Sequence, residues 1–404
     1  MTKPRVAQPP LGGDAHNFGR RVTVGEARVA KPRTLFWEWL VLSRDSPLRQ
    51  RLAGLGETFD FLPDLAFSDP RAPGGGEVDR VALDPLGPGA SPEALARVTG
   101  RAIALFSWLG VSDLHWENLV LGQDASGRIV FAPLDVEIFF ADMELPTETK
   151  LLPDVDPDGA ETSRHACGVR RVLPLLGKPV DGPLVVEIAA AYLEALALLD
   201  RNAKAIAGTL SMVEGLAEAP IRVLLRGTGD YVRARAGKPA WPPLLDAERA
   251  QLDRGDIPYF FRLYGQPGIR WFSEPTLTRV EQLPTAGDVP RLEPSLQLSR
   301  ELRSKKRKKL REEGLFTVIG AFDHPAIRGA FKANGLGVTF RGKTLVIELA
   351  GREVLETKRD LGRFVGSAYL PCGCGEVRSV FVPPVTVCET APREGGPRER
   401  RRPA

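Results

Sequence analysis

The stretch S-D-L-H-W-E-N, residues 112–118, is followed sixteen residues after its last member by L-D-V-E, residues 134–137. Two short apolar runs with a polar turn between them lie in the interval, and this pattern predicts a β-hairpin. A D-x-H-x-x-N loop, a hairpin and an Asp on its second strand form the layout that phosphotransferases need.

Two interpretations of this layout are open on the residues alone. In a phosphotransferase, Asp113 would orient the acceptor hydroxyl or take its proton, and Asn118 and Asp135 would supply oxygen ligands to Mg²⁺. Alternatively, Asp113 and Asn118 cap turns and Asp135 closes a strand, as short polar residues often do. Each element alone is a weak signal, and their order favours the first interpretation.

Upstream, a glycine-containing turn precedes a strand that ends on a lysine. The turn is G-D-A-H-N-F-G-R, residues 13–20, and Pro32 ends the strand directly after Lys31. A lysine in this position can reach the phosphates of ATP as a point charge on a long stem. The turn matches neither of the common phosphate-loop patterns, so a solvated lysine at a strand end is the alternative interpretation.

Downstream, R-V-L-L-R-G-T-G-D-Y, residues 222–231, predicts a helix on which Arg222, Arg226 and Thr228 converge. Two cations and a hydroxyl on one face would form a clamp for phosphate, although a solvated basic helix face fits the pattern equally well. The next motif, R-G-D-I-P-Y-F, contains Asp256, which is interpreted as a turn residue at the end of a helix.

The 404-residue chain has the balance of an ordinary globular protein, with 43% hydrophobic and 26% charged residues. No apolar run approaches the roughly 18 residues that cross a bilayer, and the N-terminus lacks the apolar centre of a secretory signal. We therefore expect a cytoplasmic protein without membrane contact.

Four cysteines are too few and too unevenly placed for a disulfide framework. The net charge of +4 comes largely from two basic runs, residues 303–309 and the C-terminal tail, so composition does not indicate nucleic acid.

Hydrophobic periodicity extends the prediction over the rest of the chain. We expect two short β segments in 13–33, helices in 34–54, 91–109, 183–215, 221–231 and 245–253, a charged helix from 297 to 314, and β-strands in 335–354. The predicted domains are a small β-rich unit over 1–90, a mainly helical unit over 91–315, a β-containing appendage over 316–390 and a disordered basic tail over 391–404.

In their order along residues 12–315, these motifs resemble the dehydratase domain of class II lanthipeptide synthetases. The motifs are G-D-x-H, K-P-R, S-D-L-H-x-E-N, D-x-E, R-x-x-x-R-x-T-x-x-Y and G-D-I-P-Y-F. The resemblance implies an α+β, kinase-like fold of two lobes similar to lipid kinases, followed here by the small C-terminal β-containing appendage. It also implies ATP-dependent phosphorylation of Ser or Thr in a precursor peptide, made of a leader and a core, followed by elimination of phosphate to dehydroalanine or dehydrobutyrine.

The resemblance assigns roles position by position. For phosphoryl transfer, it assigns Lys31 to the ATP phosphates, Asp113 to the acceptor hydroxyl with His115 beside it, and Asn118 and Asp135 to Mg²⁺. For elimination, it assigns Asp14, His16, Arg222 and Thr228. The chemistry is consistent, since elimination needs a base for the α-proton and groups that stabilise the departing phosphate.

The sequence also departs from the family. Only twelve residues precede G-D-x-H and the hairpin after it is short, so we expect part of the small lobe or peptide-binding surface to be missing or supplied by a partner. The usual cyclase needs a Zn²⁺ site of Cys and His ligands, and Cys372, Cys374 and Cys388 match no common zinc spacing. We therefore expect a stand-alone dehydratase whose partners are the precursor peptide and a separate cyclase.

Two other functions stay open from the sequence. One is a catalytically weak or inactive kinase-like scaffold that binds a peptide or another synthetase, which the short N-terminus favours. The other is a kinase that stops at the phosphorylated peptide. The basic stretch from Arg303 to Arg311 is interpreted as a contact for an acidic leader peptide, a solvated helix face or a nucleic-acid patch.

Overall fold

The structure is a computed structural model that describes the chain in several ranges. These are 11–87, 90–141, 143, 145–153, 167–176, 182–240 and 243–283, with shorter pieces at 310–311, 314–315, 317–318, 321, 336–341, 344–349, 352–358, 367–371 and 377–381. The elements mix α-helices with several antiparallel sheets, which confirms the predicted combination of helix and strand. Within the described ranges, no helix is both long and apolar enough to cross a membrane.

The first sheet is antiparallel and has the strand order β1-β2-β3-β5-β4. Its strands are β1 (Leu11–His16), β2 (Arg20–Val24), β3 (Arg28–Lys31), β4 (Phe67–Ser68) and β5 (Gly76–Asp79). The sequence predicts two β segments in 13–33, and the structure has three strands because there are two turns. Asn17, Phe18 and Gly19 form the first turn, and the Gly25 N–H closes the second on the Arg28 carbonyl at 2.8 Å.

The predicted helical stretch over 34–54 is two helices, α1 (Phe36–Leu42) and α2 (Pro47–Ala53). Ser46 separates them, because its hydroxyl accepts an N–H from the first turn of α2 at 3.1 Å. Pro47 fits the first position of a helix but not the interior of one, so a single helix cannot run through this point.

Three longer helices follow: α3 (Pro92–Leu109), α4 (Gly182–Arg201) and α5 (Ala203–Ser211). The first confirms the helix predicted over 91–109, and its Ser91 N-cap accepts an N–H at 3.0 Å. The helix predicted over 183–215 is broken into α4 and α5. α3 and α4 approach closely at Gly100, where a Cβ would overlap the carbonyl oxygen of Ile188.

The hairpin predicted after the D-x-H-x-x-N loop is present as β6 (Leu119–Gln123) and β7 (Ile129–Pro133). A further antiparallel sheet has the order β11-β10-β9-β8. Its strands are β8 (Pro220–Val223), β9 (Phe260–Leu263), β10 (Arg270–Phe272) and β11 (Val280–Gln282). The helices α6 (Thr228–Arg235) and α7 (Asp246–Asp253) lie between β8 and β9 in the chain, and α7 confirms the helix predicted over 245–253.

The helix predicted over 221–231 is wrong in its first half. Residues 220–223 form β8, which pairs with β9 in the register Arg222↔Phe261, and α6 begins only at Thr228. The pairing partner lies far along the chain, so local propensity cannot reveal it.

The strands predicted in 335–354 are present as β12 (Leu336–Arg341), β13 (Thr344–Leu349) and β14 (Arg352–Lys358), which form one antiparallel sheet. A separate hairpin consists of β15 (Ser367–Pro371) and β16 (Val377–Phe381). The basic stretch 303–309, most of the predicted charged helix, Cys372, Cys374, Cys388 and the tail lie outside the described residues. The domain boundaries stay predictions.

The largest hydrophobic core contains side chains from α1 and α2 as well as from α3 and α4. Trp37 of α1 stacks on Phe139, which follows the hairpin, with ring centroids 5.0 Å apart. On the other side, the Tyr192 hydroxyl of α4 donates to the Leu310 carbonyl at 2.7 Å. Leu42 of α1 belongs both to this core and to the lining of a cavity, to which the first sheet and β8 also contribute.

Candidate functional site

A cavity of about 800 Å³ lies among β1, β2, β3, the D-x-H-x-x-N loop, the end of the β6–β7 hairpin and the start of α6. It is lined by all nine residues that the sequence analysis assigns to the site: Asp14, His16, Lys31, Asp113, His115, Asn118, Asp135, Arg222 and Thr228. Five separate stretches of the chain therefore meet around one space. Its size is in the range of small-molecule and cofactor sites.

Part of the lining is apolar, and we call it the aliphatic wall. It consists of side chains from β2, β3, β5 and β6, namely Val22, Val24, Val29, Val78 and Val120. β-Branched side chains from two sheets make a stiff apolar surface that suits a flat apolar ring. The sequence analysis missed this wall, because alternation within each strand does not show which faces meet.

Lys31 is the last residue of β3, and its ammonium is held by α1. Nζ donates to both carboxylate oxygens of Glu38, at 2.8 and 2.9 Å, and to the carbonyl oxygen of Leu134. The two side chains are only 9% and 2% exposed, so this is a buried ion pair rather than a solvated lysine. A signal for Glu38 was available, since it is the lone acidic residue in the apolar helix F-W-E-W-L-V-L.

Arg33 joins the acidic residues of the cavity, and the sequence analysis gave it no role. Its guanidinium pairs with Glu38 and with Asp135, and its Nε lies 3.0 Å from Glu137 Oε2. Glu137 in turn pairs with Arg222. Cations and carboxylates therefore alternate across the cavity wall. Each buried charge has a partner of opposite sign, and burying any of them without a partner would cost free energy.

The D-x-H-x-x-N loop is fixed by its own backbone. Asp113 has a left-handed φ of 67°, and its carbonyl accepts the Asn118 Nδ2–H at 3.0 Å. The Asn118 carbonyl accepts the Leu134 N–H at 2.8 Å, which ties the loop to the residue before Asp135. Burial raises the pKa of Asp113 to about 6, with the nearby His115 acting against the shift and Asp135 reinforcing it. A carboxyl group with a pKa near neutrality can accept and release a proton.

Asn118 and Asp135 are the candidate metal ligands. Burial alone would raise the pKa of Asp135, but the charges of Arg33 and Lys31 lower it below its usual range, so the carboxylate is ionised. Asn118 donates through Nδ2, which leaves Oδ1 as the available oxygen. Among the described residues, no three His, Cys, Asp or Glu side chains form a metal-binding group by themselves. Two oxygens fit Mg²⁺, which usually takes few protein ligands and completes its shell from phosphates and water.

His16 ends β1 and is oriented by a backbone carbonyl. Its Nδ1 lies 2.8 Å from the Ile257 oxygen, and because a carbonyl only accepts, Nδ1 carries the proton. Nε2 is then unprotonated in the neutral ring. Burial, followed by the positive charge of Arg222, lowers the pKa of His16. The imidazole is therefore neutral at pH 7 and is a proton acceptor through Nε2.

The predicted phosphate clamp is assembled differently from the prediction. Arg222 is on strand β8 and pairs with Glu137, whereas Thr228 is the first residue of α6. Arg226 lies between them and is held by buried Glu248, with Nε to Oε1 at 2.8 Å. No side chain caps α6 at Gly227, and the Asp230 N–H donates to the Gly227 carbonyl at 2.9 Å. Gly227 and Thr228, at the start of this helix, both line the cavity. The arrangement can hold an anion.

Two predicted residues lie at the edge of this arrangement. Asp14, on β1, is exposed and lines the cavity beside His16. His115 begins the short 3₁₀ turn Trp116–Asn118, and its Nδ1 accepts the Glu117 N–H at 3.3 Å. That bond leaves Nε2 of His115 as the other ring nitrogen available to a ligand.

Comparison with known proteins adds no family to this geometry. No protein-family model matches the sequence, and a search of curated proteins finds no significant match. The resemblance to lanthipeptide dehydratase domains rests on the motifs.

Proposed function

We propose that this protein is a lanthipeptide-type peptide dehydratase with a kinase-like arrangement of two lobes. It would use ATP and Mg²⁺ to phosphorylate Ser or Thr in a precursor peptide and would then eliminate the phosphate. The observation that carries the proposal is the convergence of all nine motif residues on one cavity. Lys31 and Glu38 form a buried ion pair, and Asn118 and Asp135 line the same cavity. Protein kinases also combine a Lys–Glu ion pair with a metal-binding Asp and Asn.

In the first half-reaction, the aliphatic wall would receive the nucleotide base and Lys31 would pair with the phosphates. Asn118 and Asp135 would hold Mg²⁺, which when bound supplies positive charge to the phosphate oxygens. The substrate hydroxyl oxygen would bond to the γ-phosphorus as the bond to the ADP oxygen breaks, and Asp113 would take the hydroxyl proton. Its raised pKa suits this transfer.

In the second half-reaction, Nε2 of His16 would take the α-proton of the phosphorylated residue. The electron pair of that C–H bond would form the Cα=Cβ double bond while the Cβ–O bond breaks, and phosphate would leave with the bonding pair. Arg222 and Thr228 would stabilise its charge, because they lie on the same cavity as His16. Asp14 would assist as the carboxylate beside the base.

A second candidate is a kinase-like scaffold that binds a peptide without reaction. The pairing of Arg33 with Asp135 favours it, since the guanidinium engages the carboxylate that Mg²⁺ needs. A catalytic cycle requires this contact to loosen when metal and nucleotide bind.

The two candidates are separated by nucleotide binding and product analysis. Calorimetry with ATP and Mg²⁺ should detect binding to the full chain, and Lys31→Met should abolish it through loss of the phosphate-pairing charge. Asp135→Asn should remove the dependence on Mg²⁺. Asp246→Asn is the matched control, because that side chain is 96% exposed and outside the cavity.

For product analysis, the protein would be incubated with ATP, Mg²⁺ and a Ser/Thr peptide library, and separately with a phosphoserine peptide library. Mass spectrometry should show loss of water in the first and release of phosphate in the second. Phosphopeptide alone would indicate a kinase without elimination. Absence of ATP binding at millimolar concentration would overturn the enzymatic proposal and leave the scaffold.

A further inference from the structure

The segment 254–257, between α7 and β9, contacts the turn between β1 and β2, and we call it the latch. Asp256 is fully buried, and its two oxygens accept the Phe18 N–H at 2.8 Å and the Gly19 N–H at 2.7 Å. Both bonds join residues more than 200 positions apart in the chain. The sequence analysis interpreted Asp256 as a turn residue at a helix end, and the structure gives it a partner across the fold.

The backbone N–H groups of the turn between β1 and β2 are arranged to bind a negative charge. Asn17, Phe18 and Gly19 have φ values of 48°, 72° and 78°, a left-handed run that is unfavourable for the two non-glycine residues. Successive N–H groups in such a turn point into a common concavity that binds negative charge. Asp256 fills that concavity from inside the protein with charge-assisted hydrogen bonds.

Arg254 compensates the buried carboxylate. Its Nε donates to Asp256 Oδ2 at 2.6 Å, and its guanidinium carbon lies 3.7 Å from the centroid of the Phe18 ring. The arginine thus clamps the same turn through an ion pair and a cation–π contact. Gly255 has a φ of 90°, which a glycine supplies at no steric cost, so that both side chains can face the turn.

The latch also holds the catalytic imidazole. Ile257 donates its N–H to the Ala15 carbonyl at 2.8 Å and accepts the Nδ1–H of His16 with its own carbonyl, also at 2.8 Å. Ile257 therefore binds Ala15, which precedes His16 in the chain, and Asp256 binds Phe18 and Gly19, which follow it. The carbonyl fixes the Nδ1–H tautomer, and Asp256 fixes the turn that carries the ring.

We infer that Asp256 is a positioning residue for the elimination half-reaction, acting through the orientation and tautomer of His16. The inference rests on the proposed function. Phosphoryl transfer uses Lys31, Asp113 and Asp135, none of which the latch contacts, so it is largely independent of Asp256. Removal of the α-proton to Nε2 requires the Nδ1–H tautomer, and loss of the latch converts His16 to a mixture of tautomers.

Asp256→Asn is the principal test, because the amide keeps the size but loses the charge and one acceptor. The matched control is Asp253→Asn, three residues away and exposed at the end of α7. Nitrogen NMR of ¹⁵N-histidine-labelled protein should show His16 as the Nδ1–H tautomer in wild type and in the control, and as a mixture in the variant. Release of phosphate from the phosphoserine peptide library should fall at least about tenfold in Asp256→Asn, while phosphorylation from ATP changes less than about twofold.

Each outcome decides one statement. An unchanged His16 tautomer in Asp256→Asn overturns the positioning role, and so does an equal fall of both half-reactions. If wild type acts on neither library, the proposed function fails, yet the NMR measurement still tests the latch. If Asp256→Asn does not fold, Arg254→Lys, which retains the charge but loses the planar clamp, should give the same changes to a smaller degree.

Discussion

The buried ion pair of Lys31 and Glu38 allows a prediction about the free energy of unfolding that does not depend on catalysis. In Glu38→Gln the side chain keeps its size, but the charge that faces both Lys31 and Arg33 is lost. Arg33 keeps the carboxylates of Asp135 and Glu137. The Lys31 ammonium keeps the Leu134 carbonyl and faces a neutral amide where its paired carboxylate was.

The magnitude follows from burial. With the side chains 9% and 2% exposed, solvent screening is slight, and breaking a buried pair from one side typically costs about 3–5 kcal/mol. Removing both charges in Lys31→Met/Glu38→Leu leaves no unpaired ion between them, and such replacements are often neutral or stabilising. The double variant should therefore be less destabilised than the sum of its single variants by at least about 1 kcal/mol.

The assay is urea unfolding followed by tryptophan fluorescence, since Trp37 and Trp39 flank Glu38 in α1. The free energy of the transition would be compared for wild type, Glu38→Gln, the single variants Lys31→Met and Glu38→Leu, and the double variant that combines these two. Glu77→Gln is the control, because its partner Arg28 lies 3.6 Å away on the exposed face of the sheet and such pairs contribute about 1 kcal/mol or less. A loss below about 1 kcal/mol in Glu38→Gln, or strict additivity of the two single variants, would refute the buried-pair reasoning.

Three further predictions concern other parts of the molecule. Thr228→Ala should slow elimination by on the order of 10²-fold and accumulate phosphopeptide without lowering the melting temperature, because the side chain is exposed; a parallel fall of both products would contradict the clamp. Gly100→Ala should destabilise the α3–α4 contact by about 1–3 kcal/mol, since its Cβ would overlap backbone atoms of α4; an unchanged melting temperature would contradict that packing. Burial raises the pKa of the Cys167 thiol to about 11. Between pH 9 and pH 11 the thiol therefore loses its proton in the unfolded chain but keeps it in the folded one, so the free energy of unfolding should fall as pH rises from about 9 to 11. Mapped iodoacetamide labelling at pH 8 should leave Cys167 unmodified until the protein unfolds.

The sequence by itself determined the elements whose signals are local. The α3 helix is indicated by Ser91 and Pro92 at its start, and both act within one turn of themselves. The β6–β7 hairpin is indicated by two apolar runs around a polar turn, and its strands pair with each other. The nine residues that were predicted from the motifs all line one cavity, and each motif keeps its polar members within a few positions.

Only the tertiary structure decided how those motifs are held. The stretch from Arg222 has the apolar spacing of a helix, yet it is a strand because β9 pairs with it and the Arg222 N–H bonds to the Glu137 carbonyl at 2.9 Å. Glu38 pairs with Lys31, and Asp256 accepts the Phe18 N–H. No local sequence pattern predicts either contact. A buried charge needs a partner of opposite sign or a set of N–H donors, and which partner it finds depends on how distant strands and helices pack.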